Sequence, residues 1–441
     1  MCSHPKLVEK RQSKLSWTSL RYISPSGLSG IPDLSILGNS SFVPCVEGEK
    51  PPAERVRKIK LKPTQEQRRT LNGWFSTARW TYNRCVHAIN ELGCERSKKG
   101  LRAQCVNNDL WTGELEWVKK TPYDIRDEAM NDVLKAYKTN FAAKRRQFKI
   151  KFKSRKAPSD SIVIHSKHWK SAGIMHPRAW GRLALKAHEA LPDKLSYDCR
   201  LQRTRLGEFY LCLLSPIQRR ESKSKKKIAA LDPGVRTFQT VYSPDGSVEE
   251  IGAGDIGRIS RLCWSLDKLQ SKWSQPEVRH RKRYTMQRAG RRLRKKIKNL
   301  VHDLHHTAAR YLCESYNQIL IPMFETKNMV SKIKRRIGSQ TARMMLTWSH
   351  YSFRRILEDK AREYSDCSVF VVDESYTSKT CGNCGALHET LGKSKVFKCP
   401  ICSFTLDRDV NGARNILIRF LTTDERVRQA GLRWGLAPGP L

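Results

Sequence analysis

The spacing of apolar residues changes several times along the chain, and each change marks a different kind of segment. Residues 1–53 mix Ser, Gly and Pro without a sustained period, which predicts a disordered N-terminal arm. Residues 54–63 alternate apolar and basic residues like one short strand, whereas 64–146 place apolar residues at helical spacing. Short alternating runs, beginning with "QFKIKFKSRK" at 147–156, then predict a β-rich module over 147–218.

The second half of the chain has the pattern of an α/β protein. A basic linker at 219–227 precedes it, and over 228–376 apolar strands alternate with helical stretches. Residues 377–404 carry paired cysteines and Gly turns, residues 405–420 return to the α/β pattern, and residues 421–441 form a C-terminal tail. We therefore expect one α/β layer interrupted by a small cysteine-rich insertion.

Basic residues exceed acidic residues by a wide margin. Lys and Arg total 84 against 42 Asp and Glu, which gives a formal net charge of +42. An excess spread over the whole chain predicts a polyanionic partner, namely nucleic acid. No apolar run approaches the ~20 residues of a spanning helix, so no membrane partner is expected. The residues expected to contact nucleic acid are Lys58, Lys60, Lys151, Lys153, Arg288, Arg291, Arg292, Arg408 and Arg414.

Four of the fourteen cysteines are organised. Cys381 and Cys384 form one Cys-x-x-Cys pair, and Cys399 and Cys402 form another after fourteen intervening residues. Two such pairs can present four thiolates to Zn²⁺ in a tetrahedron, which leaves no open position and predicts a structural zinc. The other ten cysteines show no pairing pattern, as expected for reduced thiols of an intracellular protein.

Three acidic residues lie where predicted strands end. Asp232, Glu325 and Asp409 are far apart in sequence, yet strand ends can meet at one edge of a single sheet. Carboxylates grouped in this way hold hard cations such as two Mg²⁺ ions, which activate water and stabilise a leaving oxygen in phosphodiester cleavage. Each acid taken alone has an ordinary explanation, since an Asp before Pro-Gly is more often a turn residue.

Several longer strings resemble a known family. "LDPGVRTF", "FETKNM", "YTSKTCGNCG" and "CPICSFTLDRDVNGARNI" resemble the RuvC-type nuclease core of the transposon-encoded TnpB proteins and their eukaryotic relatives, the Fanzors. "IKLKPTQEQRRTLNGWFSTARWTYNRCV" resembles the first strand and first recognition helix of that family. "KFKSRK" and "LQRTRLGEFYL" resemble its wedge barrel, so the resemblance extends over about 56–420.

The resemblance implies a fold and a site. The fold is an α/β RuvC (RNase H-like) nuclease core with an inserted zinc ribbon, a β-barrel wedge module and a small helical recognition module. By motif, Asp232, Glu325 and Asp409 match the catalytic, Mg²⁺-binding acids, with Asp407 as the rival of Asp409. The implied segments are the wedge strand 54–63, the recognition domain 64–146, the wedge barrel 147–218, the core 228–376 and 405–420, and the zinc ribbon 377–404.

The resemblance also implies an activity, that of an RNA-guided DNA endonuclease. A guide RNA would select double-stranded target DNA next to a short adjacent motif, and one RuvC-like site would cut it with Mg²⁺. "LGKSKVFKCP" and "NGARNI" are closer to Fanzor sequences, which implies a nuclear protein; a bacterial relative would be cytoplasmic or nucleoid-bound. Two alternatives remain at this point, a non-catalytic guide-RNA or DNA-binding regulator and a DNA strand-transfer transposase.

Overall fold

The chain forms two compact units in a computed structural model, one of residues 52–217 and one of 218–441 together with 1–51. The structure describes residues 20–23, 54–145, 147–170, 173–181, 184–221, 226–333, 335, 337–392 and 394–423. Most of the predicted N-terminal arm, the middle of the basic linker and most of the C-terminal tail lie outside these described residues.

The strands and helices are numbered in chain order. The strands are β1 (Leu20–Ile23), β2 (Glu54–Leu61), β3 (Ser159–Ile164), β4 (Trp169–Lys170), β5 (Ile174–Met175), β6 (Cys199–Thr204), β7 (Phe209–Pro216), β8 (Lys226–Pro233), β9 (Gln239–Tyr242), β10 (Val248–Ile251), β11 (Tyr316–Pro322), β12 (Ser368–Val372), β13 (Val396–Lys398) and β14 (Thr405–Asp407). The α-helices are α1 (Gln65–Glu91), α2 (Lys98–Cys105), α3 (Tyr123–Ala142), α4 (Pro177–Trp180), α5 (Asp255–Ser274), α6 (His280–Ser315), α7 (Thr326–Val330), α8 (Ser339–Trp348), α9 (His350–Ala361) and α10 (Arg408–Thr423).

In the unit of residues 52–217, helices pack on an antiparallel sheet. Helix α1 begins with a capping box, in which the Gln67 amide donates to Thr64 Oγ1 at 3.3 Å and the Thr64 amide donates to Gln67 Oε1 at 3.0 Å. The apolar face of α1 predicted from its periodicity is buried. The sheet has the order β2-β7-β6-β3, and its buried residues share one hydrophobic core with α1 and α3.

The alternating segment 147–156 is not a strand, contrary to the prediction from its pattern. The side chain of Asn83 on α1 instead bonds both backbone groups of Lys153. Asn83 Nδ2 donates to the Lys153 carbonyl at 3.1 Å, and the Lys153 amide donates to Asn83 Oδ1 at 2.7 Å. At Lys153 a side chain therefore satisfies both backbone groups and attaches this part of the segment to α1.

The other unit contains the expected α/β layer. Its sheet has the order β1-β10-β9-β8-β11-β12, with antiparallel pairing from β1 to β8 and parallel pairing from β8 through β11 to β12. Alternate residues of β8 face opposite sides: Ala229 and Leu231 pack with α5, α6 and α9, whereas Ile228 and Ala230 pack with α10. The fold is therefore the predicted RuvC-type (RNase H-like) α/β core.

Strand β1 corrects the prediction that all of residues 1–53 form a disordered arm. Residues Leu20–Ile23 pair antiparallel with Val248–Ile251 of β10. Without β1, the backbone groups on that side of β10 would be an open sheet edge, so a passing segment gains hydrogen bonds there. A strand of four residues is too short to produce a detectable period in the sequence.

None of the helices in the described part of the chain has the length and apolar composition needed to cross a membrane.

Candidate active site

Asp232 lies at the carboxyl end of the central strand β8. Helix α10 passes so close that a Cβ atom on Gly412 would lie 2.9 Å from Asp232 Oδ2, and a glycine is therefore needed there. The pKa of Asp232 is raised well above its ordinary value, first by burial and then by the negative charges of Asp409 and Glu374. The positive charge of Arg408 partly offsets this effect.

Asp409 lies in the first turn of α10, close to Asp232. Burial and the charge of Asp407 raise the pKa of Asp409, while Lys395, Arg408 and Arg236 lower it. Asp407 has a different task, since its Oδ1 accepts hydrogen bonds from the amides of Asp409 at 2.8 Å and Val410 at 3.4 Å. Asp407 thus caps the helix, which favours Asp409 as the acid that faces Asp232.

Glu374 is an acid of this site that the sequence reasoning missed. It lies two residues beyond β12, and its charge is among those that raise the pKa of Asp232. Burial, followed by the charge of Asp373, raises the pKa of Glu374 to about 7. The neighbouring Asp373 is engaged elsewhere, accepting from the amide and hydroxyl of Ser375 at 3.0 and 2.7 Å.

Glu325, the expected second acid, is not among the charges that raise the pKa of Asp232. Its side chain is exposed, precedes α7 and accepts a hydrogen bond from Asn328 Nδ2 at 2.6 Å. The charges that raise the pKa of Asp232 come from Asp409, Glu374 and Asp407. Strand β11 ends at Pro322, and Phe324 then takes a left-handed backbone conformation (φ 37°) and packs against His350. The chain has therefore left the sheet edge before Glu325.

The sequence did contain a signal for Glu374. The run "SVFVV" is a strand, and an Asp-Glu pair follows it directly. Strands β8, β11 and β12 are parallel neighbours, so their carboxyl ends lie at the same edge of the sheet. The rule that selected Asp232 applies equally to Glu374.

The four cysteines form one cluster, as their spacing predicted. Their sulfur atoms all lie within 4.8 Å of one another, with Cys381–Cys402 at 3.7 Å and Cys384–Cys399 at 3.6 Å. Tetrahedral zinc with Zn–S bonds of about 2.3 Å separates its sulfurs by about 3.8 Å, so the cluster fits this ion. The amides of Asn383, Ile401 and Cys402 donate to cysteine sulfurs at 3.4 Å. A hydrogen bond from the Phe404 backbone helps lower the pKa of Cys402 to about 6, which favours its thiolate.

Buried polar side chains of α10 attach the first cysteine pair to the helix that carries Asp409. Asn411 Oδ1 accepts from the Gly382 amide at 3.1 Å, and Asn411 Nδ2 donates to the Thr380 carbonyl at 2.8 Å. Asn415 Nδ2 donates to the carbonyls of Thr377 and Thr380 at 2.8 and 2.7 Å. The zinc ribbon and the amino end of α10 are therefore one hydrogen-bonded assembly.

Of the residues predicted to contact nucleic acid, some are bonded to other groups of the protein and others are exposed. The prediction for Arg414 is wrong: this residue is 2% exposed and donates to the Gly382 carbonyl, so it holds the ribbon and is not placed to contact phosphate.

The other basic residues differ in their surroundings. Arg408 Nη1 donates to the Gly392 carbonyl at 3.0 Å. Lys60 and Lys153 pair with Glu208 at 3.5 Å and Asp132 at 3.2 Å. Lys58 lies over the ring of Tyr210 and Arg291 over that of Tyr284, while the exposed side chains include Lys58, Lys151, Arg288 and Arg292.

Comparisons with known proteins give three family matches. Residues 350–416 match "Cas12f1-like, TNB domain", residues 209–332 match the OrfB/IS605 family, described as "Probable transposase", and residues 53–96 match its "Helix-turn-helix domain". The first two matches include Asp232, Glu374, Asp409 and the four cysteines.

Similar proteins extend these matches over most of the chain. The transposase-like protein A625R of Paramecium bursaria Chlorella virus 1 is 28% identical over 390 residues, 85% of this chain and 88% of that protein. TnpB-like protein L770 of Acanthamoeba polyphaga mimivirus is 27% identical over 384 residues, 82% of this chain and 72% of that protein. InsQ of Escherichia coli K12, named as an RNA-guided DNA endonuclease, is 25% identical over 387 residues, 82% and 90% of the two chains.

Among solved structures, a Cas12f1–sgRNA–target DNA complex matches with a TM-score of 0.46 and 14% identity, covering 80% of this chain and 83% of that one. The family matches and the relatives with TnpB and RNA-guided nuclease names agree with the fold and the cysteine cluster described above. Over most of its length the chain is therefore similar to the TnpB/IS605 proteins, a transposon-associated family with members named as RNA-guided DNA endonucleases.

Proposed function

We propose that this protein is an RNA-guided DNA endonuclease that hydrolyses phosphodiester bonds at a centre formed by Asp232, Glu374 and Asp409. One observation carries the proposal: at one edge of the sheet the negative charges of Asp409 and Glu374, which come from two other elements, add to burial in raising the pKa of Asp232. A fold gains nothing from such repulsion by itself, so grouped acids with raised pKa values favour a cation-binding functional site.

The donor chemistry suits Mg²⁺, but the carboxylate oxygens of Asp232, Glu374 and Asp409 do not all lie within 4.8 Å of one another, so a bound ion would have to draw them together. Carboxylate oxygens are the ligands that this hard cation prefers, and each of the three side chains offers two. Mg²⁺ ions, when bound, supply activation of water and stabilisation of the leaving oxygen. The protein contributes the placement of the carboxylates: β8 fixes Asp232, the cap at Asp407 orients the turn that holds Asp409, and the end of β12 positions Glu374.

The partners we propose are a guide RNA and double-stranded target DNA next to a short motif. The net charge of +42 supports binding to both polyanions, and relatives carry RNA-guided endonuclease names. In such a system base pairing with the guide supplies most of the sequence specificity, and the protein contributes the recognition of the adjacent motif.

The experiment that tests this proposal starts with expression of the protein together with its native flanking DNA. RNA that co-purifies is sequenced, and a plasmid matching its variable 3′ end is incubated with the complex and Mg²⁺. We expect one reproducible structured RNA, and cleavage that Asp232→Asn abolishes. Only fragmented host RNA, or cleavage that survives Asp232→Asn, would contradict the proposal, and joined DNA products would favour a strand-transfer enzyme.

We further propose that the protein belongs to the Fanzor branch and acts in the nucleus. The supporting features are the string "LGKSKVFKCP" and the basic stretch at 219–227, which has the composition of a nuclear import signal. Fluorescence microscopy of the tagged chain in a eukaryotic cell measures this directly. We expect nuclear fluorescence that becomes cytoplasmic when the basic residues of 219–227 are replaced by Gln, and uniform fluorescence of the unaltered chain would contradict it.

A further inference from the structure

A second cluster of potential metal ligands lies in the unit of residues 52–217. Asp124 comes from the first turn of α3, His168 ends a short 3-10 helix (Ser166–His168), and His176 precedes α4. One ligand atom from each lies within 4.8 Å of the other two. Within the described part of the chain, this trio and the four cysteines are the two groups of three or more such residues.

The two histidines flank a small hairpin formed by β4 and β5. The His176 amide donates to the His168 carbonyl at 2.8 Å, and the imidazole rings stack with their centres 4.3 Å apart. His168 Nε2 lies 2.7 Å from Asp124 Oδ2. The hairpin thus holds both rings beside the carboxylate, on a backbone that is itself hydrogen-bonded.

His176 has features that its own packing does not explain. It is 6% exposed, and its Nε2 has no hydrogen-bond partner among the described residues. Its backbone is left-handed (φ 45°, ψ 66°), a conformation uncommon for residues other than glycine. Buried polar atoms in native proteins nearly always have a partner, so this nitrogen is unusual unless something else binds it.

We propose that Asp124, His168 and His176 form a site for a divalent transition metal, with Zn²⁺ as the best fit. Two imidazole nitrogens and one carboxylate oxygen are an established ligand set for zinc. Bonds of about 2.0–2.1 Å in a tetrahedron place ligand atoms about 3.3–3.4 Å apart. The His168–Asp124 pair at 2.7 Å therefore has to open by about 0.6 Å, as its hydrogen bond is replaced by two metal bonds.

The charges around the trio both support and oppose a cation. Lys167 Nζ lies 3.0 Å from Asp124 Oδ1 and competes with a metal for this carboxylate, but its side chain is exposed and can turn away. His165 pairs with Asp198 at 2.7 Å and lies 4.0 Å from Glu128, which adds negative charge nearby. Burial also lowers the pKa of His176 to about 4, so its ring is neutral at pH 7, the form that binds metals.

The test measures zinc stoichiometry and affinity on the full-length protein, by titration against a chromophoric chelator. We expect two tightly bound zinc ions per chain, one on the four cysteines and one on the trio. His168→Gln and Asp124→Asn should each reduce the number to one, since loss of a direct ligand costs more than the roughly 10–100-fold that loss of an outer partner costs. Circular dichroism checks that the variants remain folded.

Two matched controls keep the result specific. His165→Gln alters a neighbouring histidine that pairs with Asp198 and lies outside the trio. His302→Gln addresses the helical pair His302 and His306, whose Nε2 atoms lie 3.2 Å apart. Both should still bind two ions. One ion in the unaltered chain, or two ions in both His168→Gln and Asp124→Asn, would overturn the proposal.

Lys167→Gln provides an independent readout, because it removes the competing cation and leaves all three ligands. We expect the second zinc to bind severalfold more tightly in this variant, with no change at the first. Cobalt adds a spectroscopic check, since a nitrogen- and oxygen-bound ion lacks the sulfur-to-cobalt charge-transfer band of a four-cysteine site. Unchanged affinity of the second ion would contradict the competition. None of these measurements depends on DNA cleavage.

Discussion

At the scale of single residues, the active centre depends on which glutamate completes it. Glu325 and Glu374 both follow strands of the same sheet, but the structure brings the charge of Glu374 to Asp232 and leaves Glu325 exposed. The choice follows from where the backbone turns after each strand, which neither local composition nor strand propensity specifies. The two residues are therefore a matched pair for mutation.

We predict that Glu374→Gln lowers Mg²⁺-dependent cleavage by more than ~100-fold, since it removes a direct carboxylate from the metal centre. Glu325→Gln should retain activity within a few-fold of the unaltered protein, because it changes only an exposed side chain bonded to Asn328. Single-turnover cleavage of a matched plasmid measures both. An inactive Glu325→Gln beside an active Glu374→Gln would reverse the assignment.

The raised pKa of Glu374 also predicts a pH-dependent stability in Mg²⁺-free buffer. Its carboxyl keeps a proton up to about pH 7 in the folded state, whereas its ordinary pKa is 4.5. The folded state therefore binds more protons between these values, and stability falls as the pH rises from about 4.5 to about 7. Allowing for solvent screening of a half-buried group, the loss at pH 8 is roughly 1–2 kcal/mol.

Glu374→Gln removes this cost, so we expect it to melt a few degrees higher than the unaltered protein at pH 8 in Mg²⁺-free buffer. At pH 5 the two melting temperatures should converge, because the native glutamate is then protonated as well. Differential scanning fluorimetry at both pH values provides the comparison, with Glu325→Gln as the control. An equal difference at pH 5 and pH 8 would show that the effect is not titration of Glu374.

At the scale of elements, the cysteine ribbon and α10 depend on each other. The ribbon lies between β12 and α10 in sequence, and Asn411, Arg414 and Asn415 bond its first cysteine turn to the helix. These side chains are nearly fully buried, so their hydrogen bonds are shielded from water and costly to break. Folding of the ribbon therefore helps to fix the start of α10 and, with it, Asp409.

We predict that Cys399→Ser releases the ribbon zinc and abolishes DNA cleavage, although Cys399 is not one of the acids. The physical reason is that a folded ribbon is required to place the Thr377 and Thr380 carbonyls, which accept from asparagines of α10, and the Gly382 amide, which donates to Asn411. Zinc content and cleavage rate are the measurements, and Cys212→Ser, outside the cluster, should leave both unchanged. Full activity in a Cys399→Ser protein that lacks ribbon zinc would contradict the coupling.

At the scale of the whole molecule, the charge of +42 predicts nucleic-acid binding that weakens strongly with salt. A protein that neutralises six to ten phosphates loses about 10³–10⁵ in affinity between 50 and 200 mM salt. Filter binding of the guide RNA over this range should show such a loss. A double change of exposed Arg288 and Arg292 to Gln should lower the slope by about 1 for each phosphate contact removed. A flat salt dependence would exclude a phosphate-dominated interface.

The segments of the chain differ in how well their sequences predicted them. The helical face of α1 and the tetrad of cysteines follow from local spacing, since helical periodicity and the reach of two Cys-x-x-Cys turns are short-range properties. The prediction of a strand at 147–156 failed although its alternation matches a strand, and the backbone groups of Lys153 bond instead to the side chain of Asn83, about seventy positions away. The prediction that Arg414 contacts nucleic acid failed for a similar reason, because its side chain is buried and donates to the carbonyl of Gly382, which is distant in sequence.

Sequence patterns alone predicted the alternation of strands and helices in the α/β layer, the cysteine cluster and the resemblance to the TnpB/IS605 proteins. Each of these depends on residues close together in the chain or on strings that recur as units. Tertiary structure was needed to show that the charge of Glu374 is among those that raise the pKa of Asp232, that Arg414 is a structural link, and that Leu20–Ile23 pair along a sheet edge. These outcomes depend on where the backbone turns and which distant groups it meets, and packing of the whole chain fixes both.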